Sequence, residues 1–162
     1  MKILFVQTGG TIDKDYPKAI AGYAFEITEP AVKGILSKIN PSFDFEIVSL
    51  MKKDSLDITD DDRRKLYDTC KSADTDKIII THGTDTIIET AKYLSALKNK
   101  TIILTGAFKP EKFKDSDAEF NLGFAIGALN KSENGVYIAM NGGLFECNKV
   151  KRDLSNGRFS NV

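Results

Sequence analysis

Two short segments of the sequence set hydroxyls and a carboxylate beside glycines, the raw material of nucleophilic chemistry. Thr8-Gly9-Gly10-Thr11-Ile12 follows directly on the apolar run Lys2–Gln7. Paired glycines permit a tight turn and let backbone N–H groups approach a ligand. Thr11 is then left at the end of the run with its hydroxyl available. A threonine hydroxyl is a weak nucleophile and needs a base or polarising neighbours. His82-Gly83-Thr84-Asp85-Thr86 follows a second run, Lys77–Thr81, and opens a helical pattern. Gly83 allows the turn, Thr84 or Asp85 can cap the helix, and free N–H groups there can hold a carboxylate or an oxyanion. Taken singly, each segment also has a plain structural reading, as a glycine turn and as a capped helix.

Other chemistries find no support in the residues. His82 is the single histidine, and no G-x-S-x-G motif accompanies it, so a Ser-His-Asp hydrolase is not indicated; His82 reads as a structural residue of its turn. No His/Cys/Glu cluster has ligand spacing, so neither a metal nor another cofactor is expected. The TGGT segment lacks both the dinucleotide fingerprint and the Gly-Lys-Ser/Thr of a phosphate loop. Cys70 and Cys147 match no zinc or redox pattern and read as reduced thiols of a cytoplasmic protein.

The elements that must position these segments alternate. Apolar runs at Lys2–Gln7, Phe45–Leu50, Lys77–Thr81, Thr101–Thr105 and Val136–Met140 read as strands buried on both faces. Helical patterns occupy Glu29–Ile39, Thr59–Ala73, Asp85–Lys98 and Ser116–Asn130. Thr59 is the expected N-cap of the second, with three aspartates at the positive end of its dipole. The order β-α-β-α-β-α-β-α-β predicts an α/β fold, a doubly wound, mostly parallel sheet with helices on both faces in one Rossmann-like domain. Ligands in such sheets sit at the carboxyl ends of strands, where both segments fall. Asp153–Val162 has weak pattern and reads as a surface tail or association segment.

Composition agrees with one globular domain. The chain has 162 residues, 41% hydrophobic and 28% charged, with 23 Lys+Arg against 23 Asp+Glu. A general nucleic-acid or acidic-membrane binder carries a basic excess, and none is present. No stretch approaches the ~20 apolar residues of a membrane span, and the N-terminal run is too short for the apolar core of a signal peptide. Zero net charge favours self-association.

With both segments in view, the sequence resembles the bacterial-type L-asparaginase family. Asp54-Ser55-Leu56-Asp57-Ile58-Thr59 resembles that family's DSxDMT segment, and Thr105-Gly106-Ala107-Phe108-Lys109-Pro110 its GAMRP turn. Ser116–Leu122 resembles its SDGPxNL helix start, and Gly135–Asn141 its GVxVxMN strand. Together with TGGTI and HGTDT the motifs run in order over nearly the whole chain. Family members are about twice this long, and Arg158–Asn161 resembles the end of their N-terminal domain. The expectation is a natural short form, a single domain over 1–162 with the family's C-terminal domain absent, rather than a truncated piece.

The resemblance implies an amidohydrolase that converts L-asparagine and water to L-aspartate and ammonia through a threonine acyl-enzyme, with L-glutamine as a second candidate substrate. It implies Thr11 as nucleophile, supported by Thr84 and Asp85. It implies a loop tyrosine, for which Tyr16 is preferred over Tyr23. It implies a lysine where this chain reads Val150-Lys151-Arg152. Direct alignment sets Arg152 there, yet an arginine stays charged and cannot act as a base, so Lys151 is preferred. Ser55, with Asp54, Gly10 and Gly83, is implied to bind substrate. The Ala107 carbonyl is implied to face the leaving amide. A homodimer or higher homo-oligomer is expected, with the site near the interface. Two other readings stand beside this one: a non-catalytic amino-acid-binding or regulatory domain, and a relative of the amidotransferase branch.

Overall fold

The computed structural model describes residues 1–16 and 24–162. The strands are β1 (Lys2–Gly9), β2 (Lys14–Asp15), β3 (Glu26–Ile27), β4 (Asp44–Lys53), β5 (Lys77–Thr81), β6 (Thr101–Thr105), β7 (Gly135–Met140), β8 (Gly143–Glu146), β9 (Val150–Arg152) and β10 (Phe159–Asn161). The helices are α1 (Ala31–Ser37), α2 (Asp60–Ser72), α3 (Ile87–Leu94) and α4 (Ala118–Leu129). The main sheet has the order β4-β1-β5-β6-β7-β8. It is parallel except for β8, which runs antiparallel to β7.

Alternation along the central strands builds two cores. Leu4, Val6, Ile78, Ile80, Ile102, Leu104, Ile138 and Met140 face α2 and α3. Ile3, Phe5, Ile79, Ile103 and Ala139 face α1 and α4. Both faces of these strands are therefore covered, which is why they read as unbroken apolar runs. Each fully buried aliphatic side chain contributes about 1.5–3 kcal/mol. The doubly wound α/β expectation holds.

Several local expectations need correction. β4 is the sheet edge, partly exposed along its length, so its apolar run did not mark a two-faced burial. α1 starts at Ala31 after Pro30, and Ile39 lies beyond its end, exposed. α3 starts two residues later than expected and ends at Leu94. Its N-cap is Thr86, not Thr84 or Asp85, and the Thr86 hydroxyl donates instead to the Ser55 carbonyl at 2.7 Å. The C-terminal stretch is not a loose tail. Its β10 pairs antiparallel with β9, and Phe159 is buried in the α2/α3-side core. Thr59 does cap α2, in a capping box with Asp62.

Candidate active site

The sheet order reverses between β1 and β5. β1 leads outward through α1 to β4, and β5 leads the other way to β6. Such a switch point opens a crevice at the carboxyl ends of the two strands. The TGGTI turn leaves β1 there and the HGTDT turn leaves β5 there, from strands in direct parallel register.

Glycines let these turns touch. Gly10 adopts φ 85, a region that side chains avoid. A Cβ on Gly10 would lie 2.4 Å from Gly83 Cα. A Cβ on Gly83 would lie 2.7 Å from Ser55 Oγ. Gly10, Gly83 and Ser55 are thus stacked with no room for another carbon, so the turns carrying Thr11, Thr84 and the segment after β4 meet. Gly10 N–H donates to the Lys53 carbonyl at 2.9 Å, closing the β4 side. Thr11 opens a 3₁₀ turn, Thr11–Asp13, and is half-buried; Thr84 is half-buried and Asp85 exposed.

Ser55 is the most telling of the three. It is buried, yet its Oγ has no hydrogen-bond partner within the protein. An unsatisfied buried hydroxyl costs about 1–3 kcal/mol, which a ligand acceptor would recover. Asp54, beside it, is paired with Lys14 at 2.9 Å, and that bond holds its carboxyl below the usual range.

The fourth wall comes from β9. Arg152 Nη1 donates to Asp85 Oδ1 at 2.8 Å. The guanidinium carbon lies 5.5 Å from the Phe108 ring centroid and 5.9 Å from that of Phe159, within cation–π range. Lys151 is exposed and one residue out of phase on the strand, so its side chain points to the other face. The cation that meets Asp85 is therefore Arg152, and Lys151 is not brought to it.

The remaining expected residues are more dispersed. Ala107 is buried in the turn after β6. Asp117 accepts from the Phe108 and Lys109 N–H groups at 3.0 and 3.1 Å, and Asn121 Nδ2 donates to the Gly106 carbonyl at 3.0 Å. Asp117 and Asn121 therefore shape that turn, a role the SDxxxN spacing carried without revealing. Tyr16 stacks on Phe25 with ring centroids 4.0 Å apart, and no hydrogen bond joins it to Thr11 among the described residues. Tyr23 lies outside the described residues. His82 is fully buried with Nδ1 at 2.7 Å from the Gly83 carbonyl, and burial pushes its pKa down to about 4. It is neutral near pH 7, a structural part of the turn.

The family model described as "Asparaginase, N-terminal" matches residues 2–159. The chain belongs to the asparaginase family. Among asparaginase relatives, the glutaminase-asparaginase of Acinetobacter glutaminasificans is 26% identical over 94% of this chain and 50% of its own length. The L-asparaginase of Thermococcus kodakarensis is 31% identical over 86% of this chain and 44% of its own length. The structure of the thermostable L-asparaginase from Thermococcus kodakarensis superposes with a TM-score of 0.87 at 26% identity, covering 100% of this chain and 51% of that one. The chain spans about half the length of the asparaginase relatives it matches.

Proposed function

We propose that the protein hydrolyses the side-chain amide of L-asparagine, with L-glutamine as the alternative substrate. The observation that carries this reading is the stack of Gly10, Gly83 and Ser55. It unites a threonine turn, a Thr-Asp turn and an orphaned buried hydroxyl at the switch point of an asparaginase-family sheet.

The chemistry would run as follows in this chain. The Ser55 hydroxyl donates to the substrate α-carboxylate, and Asp85 faces the α-ammonium. Gly10, Gly83 and Asp54 shape this end of the pocket. The Thr11 oxygen adds to the amide carbon while its proton moves toward Thr84 and Asp85. The C–N bond breaks, ammonia leaves with a proton beside the Ala107 carbonyl, and an ester to Thr11 remains. Water then cleaves the ester, yielding L-aspartate and restoring the hydroxyl. Arg152, as a fixed cation, holds Asp85 and supplies positive field without taking a proton. Tyr16 would have to leave Phe25 to act as the lid tyrosine.

Two further parts belong to this reading. Phe120, Leu144 and Leu154 are exposed, apolar side chains that assembly into a homodimer or higher homo-oligomer would cover, and dilution should then lower activity per subunit. Two buried free cysteines fit a reducing cytoplasm.

The arginine in place of the family lysine favours the second reading, a domain that binds the amino acid without turning it over. Ammonia release from L-asparagine by purified protein decides between them. Turnover supports the hydrolase; tight binding without ammonia supports the binding domain.

A further inference from the structure

Asp13 plays no part in the chemistry just described, yet it is the most deeply placed carboxylate near Thr11. It closes the same 3₁₀ turn, Thr11–Asp13, and is 2% exposed. Burying a carboxylate is costly unless hydrogen bonds compensate, and here they come from several elements. Oδ1 accepts the N–H of Ala31, the first residue of α1, at 2.8 Å. Oδ2 accepts the hydroxyl of Thr81, the last residue of β5, at 3.4 Å. The Gln7 amide on β1 donates to the Thr28 carbonyl at 3.0 Å and so holds the segment that leads into α1. The Asp13 backbone carbonyl accepts from Thr28 N–H at 2.9 Å and Thr28 Oγ1 at 3.2 Å.

We propose that Asp13 is a positioning residue: its buried carboxyl group ties the turn that presents Thr11 to the start of α1 and the end of β5, and ionisation of that group loosens the turn. The role of Thr11 itself rests on the proposed function above; the anchoring does not. Burial raises the Asp13 pKa from 3.8 to about 7, against the opposing pull of its hydrogen bonds and of Lys52. The charged form is thus disfavoured in the closed turn and favoured wherever the carboxylate can meet water. A route to water exists, because Asp13 lines an open cavity of about 290 Å³ between the turn, α1 and the Glu111 segment. The other ionisable groups on that cavity are Lys14, Glu29, Lys33, Glu111 and Lys112. His82, which follows β5, is neutral.

The test follows amide exchange of residues 11–15, corrected for intrinsic rates, from about pH 5 to about pH 9. It is run on the full chain and on Asp13→Asn, which keeps the shape and an acceptor oxygen but cannot ionise. The wild type should lose protection by about tenfold or more as pH rises from about 5, levelling off above about 7, and Asp13→Asn should show no such loss. In parallel, kcat for L-asparagine in the wild type should carry a falling limb centred near pH 7 that the variant lacks, with KM little changed. If Asp13→Asn fails to fold, the carboxyl carbon resonance of Asp13 in the wild type replaces it, and must titrate near pH 7. Superimposed exchange profiles, or an Asp13 titration in the ordinary carboxylate range, would overturn the proposal. A protein that shows the exchange step but releases no ammonia keeps the anchoring role and loses the asparaginase reading instead.

Discussion

Arg152 Nη1 donates to Asp85 Oδ1 at 2.8 Å, across 67 positions of sequence, with the Phe108 and Phe159 rings on the guanidinium. The Arg152 side chain is only 15% exposed while that of Asp85 is 50% exposed. The arginine is therefore the packed partner and the aspartate the one free to meet a ligand. The pair links the turn after β5 to the C-terminal hairpin β9–β10, so the hairpin is part of the site and not an appendage.

From this pairing, Arg152→Met should lower kcat/KM for L-asparagine by about 10²–10³-fold, the scale of losing a placed charge in a water-poor site. Arg152→Lys should restore part of the loss, because charge returns but the flat stacking group does not. Lys151→Met should change activity by no more than about twofold, as for ordinary surface positions. Steady-state kinetics of the three variants check the ranking. A larger loss in Lys151→Met than in Arg152→Met would return the functional amine to Lys151.

Gly83→Ala tests the stack of turns. The new Cβ would meet Ser55 Cβ and Oγ at 2.7 Å, so Ser55 must move off its position. KM should rise by about tenfold or more, equivalent to about 1.4 kcal/mol of binding, and the fold should survive. Titration calorimetry with L-aspartate provides the same reading without turnover. Unchanged affinity would show that Ser55 does not grip the ligand.

How much of this was legible in the sequence depends on where each signal was stored. Central strands announced themselves because both faces are covered, as for Ile78–Ile80 and Ile102–Leu104. β4 carried a similar run because Val48 and Leu50 pack on one core and Ile47 on the other, yet it sits at the sheet edge and stays partly exposed, and periodicity cannot report a missing neighbour. β8 and β10 are too short for a pattern; Phe159 is buried by tertiary packing alone. At the site, Thr11, Thr84, Asp85 and Ser55 were visible as motif residues after strands. Which of Lys151 and Arg152 meets Asp85 was not, because it turns on strand phase, which only the β9–β10 register sets. Asp13 also escaped, since a carboxylate in a polar loop gives no hint that α1 and β5 close over it.

A stability prediction follows from Asp62, whose carboxylate completes the capping box of α2 and pairs with Lys53 at 2.7 Å. The Lys53 bond, with the Thr59 N–H, lowers its pKa from 3.8 to about 2. A folded-state value below the unfolded one means the contribution is present above 3.8 and lost as pH falls toward 2. Asp62→Ala should cost about 1–2 kcal/mol at neutral pH, and the gap from wild type should close in acid. Urea unfolding at several pH values checks both. A gap that persists in acid would assign the loss to packing.

The proposed hydrolysis stands or falls on acylation of Thr11. The direct measurement is intact-protein mass spectrometry after rapid acid quench of the wild type mixed with L-asparagine, followed by peptide mapping. A transient aspartyl adduct is expected on the peptide containing Thr11, absent in Thr11→Val, whose ammonia release should fall by at least about 10³-fold. Wild-type ammonia release from Thr11→Val, or an adduct mapped to any other residue, would contradict it.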